Sequence, residues 1–483
     1  MKKIYLFILT IFAFIFSLSS CNVDKKEKLV VATNAEFAPF EYLDGNEFKG
    51  IDMDLIKAYG KYAKIEIEIV NMDFDAALLS VSTNKADVAI AAITKNEKRE
   101  ENMSFSDAYY TANQVIIVKE DSIYATYTTQ EEILEALSNN NAKIGCQRAT
   151  TGQYYIEGDA DWDFEGIKNA ICKQYDNGAL AVTDLSKGNI DAVIIDEAPA
   201  KLYCKKINGV KMLDVVLTQE EYCIAVKLGN NELVASLNAF IAEIKDNGTY
   251  DEIINSYYGD EITSTANFKT LFFNVLKGLG ITFLITFLAF FLGIIIGMLV
   301  CLLQGNSSKN IIMKVLKKIA DIYVSIFRGT PITVQLLIIY YVIFESIDPL
   351  IAAIIAFGLN SGAYVSEIIR GGINSIPKGQ MEAGRSLGLS YPTVMKKIIL
   401  PQALRNCLPS LGNEIVALIK ETSVVSFITV TDLYITFRLI ANASLNYKLI
   451  YIIMGVVYFV IIFVISFILK KVEKGVLKNV NSK

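Results

Sequence analysis

The 483-residue chain contains no histidine. That removes Ser-His-Asp and Cys-His nucleophile arrangements and most zinc sites. No G-x-x-x-x-G-K-[ST] phosphate loop occurs either, so the chain does not read as an ATPase. Its seven cysteines, Cys21, Cys146, Cys172, Cys204, Cys223, Cys301 and Cys407, form no C-x-x-C pair. Four of them fall between positions 146 and 223, where either a disulfide or buried free thiols in strands would suit.

What is present is apolar mass and unevenly placed charge. The chain is 53% hydrophobic with a mean hydropathy of +0.38, high for a soluble protein. The net charge of −5 conceals a split: residues 264–483 hold 21 Lys+Arg against 9 Asp+Glu, a net of +12, and the rest carries −17. An acidic front half joined to a basic, apolar back half suggests two compartments rather than a nucleic-acid partner. The length calls for more than one domain.

The chain opens with MKKIYLFILTIFAFIFSLSSC, two lysines before an apolar run and then small residues and a cysteine. This is the build of a secretory signal over 1–21, too short for an ordinary span. Leu18-Ser19-Ser20-Cys21 resembles the bacterial lipobox, in which Cys21 would be lipidated and become the new N-terminus. The alternative is a retained signal anchor with an incidental cysteine. Residues 22–27 then form a short tether.

Residues 28–259 read as a soluble α/β domain. KLVVAT, KIEIEIV, ADVAIAA, NQVIIV, AKIGC, DAVIID and YCIAV are short β-rich runs, with helical patterns such as GIDMDLIKAYGKYA and NELVASLNAFIAEI between them. Such alternation predicts parallel sheets with crossover helices. The length predicts two lobes, lobe one about 28–110 and 222–259, lobe two about 111–221.

A polar linker over 260–268 leads into an all-α transmembrane domain, 269–483. Apolar segments follow at about 271–303, 319–344, 349–369, 407–430 and 447–469, several of them long enough for roughly 30 Å of hydrocarbon. The fourth carries Glu414, Lys420 and Glu421. Charges there face a protein interior or an aqueous path more often than lipid, and mark a route for substrate, although an irregular helix break explains them equally well. Basic loops around Lys309–Lys318 and Arg370–Arg405 and a basic tail are cytoplasmic by the positive-inside tendency. Five spans then place residue 270 outside, in agreement with an exported front half.

In order and spacing, TNAEFAPFEY (33–42), GIDMDLI (50–56), MDFDAALLSV (72–81), AAITKNEKRE (91–100), FSDAYY (105–110) and DAVIIDEAP (191–199) resemble the polar-amino-acid family of periplasmic-type binding proteins. The resemblance implies two α/β lobes closing on a free amino acid. A zwitterion needs a cation for its carboxylate, and the planar fork of arginine offers two parallel hydrogen bonds. Arg99 stands at the family's carboxylate-binding position and Asp196 at its ammonium-binding one. The resemblance adds Thr94 and the carbonyl of Ala92 from lobe one, and Thr150 with the N–H of Thr151 at a helix start. It also implies that Phe37 and Phe74 sandwich the aliphatic part of the ligand. Asn34 stands where many relatives carry an acid, and Ala149 replaces a usual glycine. With Gln147 nearby and Glu36 as a further source of charge, glutamine and arginine or lysine both remain as ligands.

EAG at Glu382, Ala383 and Gly384, then Gly388 and IILP ending at Pro401, match a pattern of ABC importer permeases, with Gly384 at a position usually held by alanine. FRGTPITVQ (327–335) and SEIIRGGINSIPKGQ (366–380) resemble the polar-amino-acid branch of the same family. The resemblance implies that 376–401 forms short cytoplasmic coupling helices docked on a separate ATPase subunit, which would hold the ATP and Mg. No cofactor is expected on this chain. It also implies a homodimer through the transmembrane domain, because five spans do not readily enclose a pathway. The whole reads as a fused substrate-binding and membrane subunit of an importer for polar amino acids. A sensor or ligand-gated channel on the same binding fold is the alternative, disfavoured by the coupling loop. An enzyme is disfavoured by the lack of histidine.

Overall fold

The computed structural model describes residues 28–45, 47–258, 268–305, 310–344 and 347–481. The expectations for the signal, for Cys21, for the tether and for linker residues 260–267 lie outside these. The chain divides at Phe272/Phe273 into two compact units, with Arg438–Tyr447 grouped to the first.

The first unit is built on two five-stranded sheets. One is ordered Glu66–Asn71, Lys28–Thr33, Val88–Ala89, Ala225–Lys227, Met103–Phe105; Ala225–Lys227 runs antiparallel to both its neighbours and the other four strands run one way. The inner strand Lys28–Thr33 is covered on both faces, which is why KLVVAT reads as a nearly unbroken apolar run rather than an alternation. The other sheet is ordered Ile171–Tyr175, Lys143–Gln147, Ala192–Asp196, Tyr110–Lys119, Val210–Tyr222. Each sheet has its own apolar core, one around Val81, Ala89 and Ile93, the other around Ile116, Ile144 and Ile194. The unit is therefore two lobes.

Two long antiparallel strands, Tyr110–Lys119 and Val210–Tyr222, carry the chain between the lobes. At the crossing Tyr109 donates its N–H to the Tyr222 carbonyl at 2.9 Å. The Tyr222 ring is fully buried against Phe40 and Tyr110.

Helix Ile51–Ala63 covers lobe one with Ile51, Met53, Leu55, Ile56 and Tyr59 inward. It starts at Gly50, whose φ of 123° suits glycine and whose Cβ would stand 2.1 Å from the Phe40 carbonyl oxygen. Asp52, also fully buried, accepts from the Ala92 N–H at 2.8 Å and the Tyr109 hydroxyl at 2.9 Å, so the helix start is tied to the end of the central sheet. Helices Asn231–Asp246 and Thr249–Tyr258 return to the same helix, through Tyr59–Ser236 at 2.9 Å and Tyr257–Asp54 at 2.6 Å.

The second unit is helical. Lys269–Gln304, Pro349–Asn374 and Tyr447–Gly475 are long and apolar enough to cross a membrane, and two bent pairs bring the candidate spans to five. The expected second and fourth spans are these pairs and not straight helices: Ile311–Gly329 with Ile332–Ile343 bends by 113°, and Tyr391–Ile428 with Leu433–Ser444 by 60°. The first break has a local cause. Thr330 precedes Pro331 and is extended, as residues before proline prefer. The carbonyls freed at the break are recovered by Gln335, whose amide donates to Phe327 at 2.9 Å and Thr330 at 3.0 Å, while Asn360 donates to Phe327 at 3.1 Å. The stretch FRGTPITVQ is thus a built corner.

Candidate functional site

Between the two lobes of the first unit lies a cavity enclosing about 340 Å³, open mouth included. Lobe one lines it with Asn34, Phe37, Phe74, Ala92, Thr94 and Arg99, and lobe two with Gln147, Thr150, Thr151 and Asp196. Apart from Glu36, the side chains picked from the sequence for the ligand thus line one cavity. Glu36 does not line this cavity; it is buried elsewhere and accepts from Asn177 at 2.9 Å.

Arg99 sits in the short helix Glu97–Glu100, which Asn96 caps by accepting the Arg99 N–H at 2.8 Å. Its guanidinium donates to the carbonyl of Thr94 at 2.5 Å and, across the cleft, to that of Ala149 at 3.0 Å. Phe74 and Trp162 rings stand 5.6 and 5.3 Å from it, so Phe74 stacks on the arginine as well as facing the cavity. Burial lowers the Arg99 pKa to about 10, still fully cationic at neutral pH. The Ala149 carbonyl is turned inward by a left-handed backbone, φ 60°. That explains physically why glycine suits this position better than alanine.

Asp196 ends its strand and precedes helix Glu197–Lys206, yet makes no side-chain cap. It accepts instead from the Tyr222 hydroxyl at 2.5 Å. Burial pushes its carboxyl up from the ordinary range. Thr150 lines the cavity while its hydroxyl donates to the Gln147 carbonyl at 2.8 Å, and the Thr151 hydroxyl donates to Glu220 at 2.7 Å. Gln147 donates to Asn34 at 3.2 Å, joining the lobes where the ligand side chain was expected.

Two acids were missed. Glu41 and Glu220 line the cavity. Glu220 accepts from Thr94 at 2.5 Å and Thr151 at 2.7 Å through one oxygen, and its other oxygen is buried without a partner. Burial raises both carboxyls, Glu41 well above the ordinary range. Glu41 sits inside a motif already singled out, but the signal for Glu220 was hidden. Inward residues of its strand run Leu213, Val215, Leu217 and then Glu220, Tyr222, because register shifts between Met212 and Thr218 change the parity.

In the second unit, Glu382, Ala383 and Gly384 lie in helix Lys378–Ser386. Gly384 is that helix's buried residue; a Cβ there would stand 2.7 Å from a Val394 methyl, which accounts for the small residue. Gly388 turns the chain at φ 80°, and Pro401 opens helix Leu400–Glu421. Ile376, Val394, Ile399 and Ala403 make a core under this hairpin, leaving Glu382, Ala383 and the apolar Leu387 and Tyr391 exposed. Glu414 and Glu421, seven residues apart, share a half-buried helix face, and Lys420 is exposed on another.

Residues 29–260 match the family described as bacterial extracellular solute-binding proteins, family 3. Residues 289–478 match the binding-protein-dependent transport system inner membrane component. Over 138 residues the chain is 48% identical to a Rickettsia prowazekii protein named as a glutamine transport system permease, covering 28% of this chain and 63% of that one. It is 49% identical over 118 residues to the arginine transport system permease protein of Bacillus subtilis, covering 24% and 54%. A Neisseria gonorrhoeae protein named as a histidine-binding protein is 30% identical over 236 residues, covering 48% of this chain and 83% of that protein. The chain spans less than two thirds of the length of these permeases.

Two lobes around a buried arginine and a buried aspartate, followed by candidate spans, define a solute receptor joined to a membrane component. The chain belongs to the family 3 extracellular solute-binding proteins through its first half, and its second half, with its candidate membrane spans, matches the model of a transport-system inner-membrane component in the same polypeptide.

Proposed function

We propose that the chain is the receptor and translocation subunit of an ABC importer for a polar L-amino acid of the glutamine or arginine/lysine type. The observation that carries this is the presence of both Arg99 and Asp196 in the lining of one cavity, a cation for the α-carboxylate and a carboxylate for the α-ammonium. The hydroxyls of Thr94 and Thr151 line the same cavity, with their protons directed to Glu220. The names of the relatives, glutamine, arginine and histidine, are all polar amino acids.

The receptor captures its ligand outside the cell and closes. ATP is hydrolysed, with Mg, on a separate subunit docked at 376–401. The exposed pair Leu387 and Tyr391, rimmed by Glu382, supports that reading, since an apolar knob held by its own small core suits a cleft on a partner. Two copies of the membrane domain would enclose the pathway, with Glu414 and Glu421 facing the route and Lys420 beside it. The exposed docking hairpin favours this over a sensor or ligand-gated channel.

Calorimetry of the purified full-length chain against the twenty amino acids tests it. One or a few polar L-amino acids should bind, with apolar ones silent. Binding of none, or of an apolar residue alone, overturns the reading.

A further inference from the structure

Lobe two holds two thiols that the binding site does not use. Cys146 lies in Lys143–Gln147 and Cys172 in the neighbouring Ile171–Tyr175, and their Sγ atoms are 3.4 Å apart. The parallel register sets Cys172 opposite Ile144 and Cys146 opposite Gln174, so both side chains leave the same face of the sheet on a diagonal. Cys146 is fully buried; Cys172 is half-buried and reachable from solvent. Among the described residues the other cysteines of this unit, Cys204 and Cys223, show no such approach to a second thiol.

We propose that Cys146 and Cys172 are a disulfide site, closed by exchange with a small-molecule disulfide. The thiolate of the accessible Cys172 attacks the oxidant's S–S bond, giving a mixed disulfide and releasing one thiol. Cys146 then attacks the Cys172 sulfur, releasing the second. Two protein S–H bonds and one S–S bond are lost, and one protein S–S bond and two S–H bonds of the reduced oxidant are formed, so electrons and protons balance. Closing the bond needs the sulfurs to approach by about 1.4 Å more, to a length near 2.05 Å. Ile171–Tyr175 is the edge strand of its sheet, with a ladder on one side, to the Cys146 strand, so it is the strand best able to yield. Cys146 directly precedes Gln147, whose amide reaches Asn34 across the cleft. Oxidation therefore pins the strand end that carries Gln147 to the edge of the lobe, and a compartment's redox state becomes an input to receptor stiffness.

The full-length protein is incubated with oxidised glutathione, alkylated and mapped by mass spectrometry. The expected result is a linked 146–172 peptide pair lacking two hydrogens, and a melting temperature of the receptor higher by about 5–10 °C than after reduction. Cys172→Ser, a mild change at a half-buried position, should abolish both effects, whereas Cys204→Ser should leave both. Separate alkylation of Cys146 and Cys172 after oxidation, or a melting rise that survives Cys172→Ser, overturns the proposal. The readout needs no amino acid, so a failure of the ligand reading and a failure of this one remain distinguishable.

Discussion

Arg99 has two duties that one substitution separates from its charge. Its fork is available to a ligand carboxylate, and it also ties Thr94 to Ala149 across the cleft. Arg99→Lys keeps the positive charge but loses the bidentate geometry and one of the ties. Ligand binding should weaken by about 1.5–3 kcal/mol, roughly ten- to a hundredfold in Kd by calorimetry; an unchanged Kd would remove Arg99 from the site.

Asp196 makes a prediction about pH. Its carboxyl is raised by burial, so it stays protonated to higher pH than an exposed aspartate. An ammonium is held by the ionised form only. Affinity should therefore be full at neutral pH and fall as the medium is acidified through the raised pKa, well above the value of about 3.9 for an unperturbed aspartate. In the acid range binding should release a proton. Asp196→Asn should bind weakly with this acid-side slope removed; a wild-type affinity flat down to about pH 4 counts against the assignment.

These residues were legible because a zwitterion imposes its own requirements on residue type and the motifs supplied spacing. Glu220 was not, since a shift in strand register moved the inward parity without a mark in composition. Thr150 and Thr151 illustrate a different limit. Both line the cavity, and only the backbone turn decides which partner each hydroxyl takes.

At the scale of elements, apolar runs and covered parallel strands were readable. Strands with exposed positions were not: Ile171–Tyr175 is an edge strand with Lys173 and Gln174 exposed, and the alternation of Val210–Tyr222 is broken by its register shifts. The spans show the converse. An apolar run reports length and not straightness, so the corner at Gly329–Pro331 became visible only through the amides of Gln335 and Asn360 that cap it.

The hairpin over 376–401 allows a test that leaves the receptor alone. A side chain at Gly388 would meet open space, so any effect there comes from the backbone and not from a clash. Gly388→Val forces a β-branched residue into φ 80°, at a cost of about 1–3 kcal/mol. ATP-driven uptake in vesicles should be lost while ligand affinity by calorimetry stays within about twofold. Uptake that persists, with an ATPase still co-purifying, would deny the hairpin its role.

For the whole molecule, the decisive fact is where the receptor's chain comes and goes. Lys28–Thr33 enters as an inner strand of the lobe-one sheet, and the last two receptor helices close back on the lobe-one helix Ile51–Ala63. The chain reaches lobe two and returns through the crossing strands. Mechanically, the receptor is a pair of jaws, and its first and last described elements both belong to one of them, lobe one. Ligand capture should turn one jaw against the other about the crossing strands while each keeps its own shape. Spin labels on Lys57 and Lys245, both on lobe one, should keep their mutual distance when amino acid is added, while a pair on Lys57 and Lys187 should shorten. Equal movement in both pairs would mean that the jaws are not rigid.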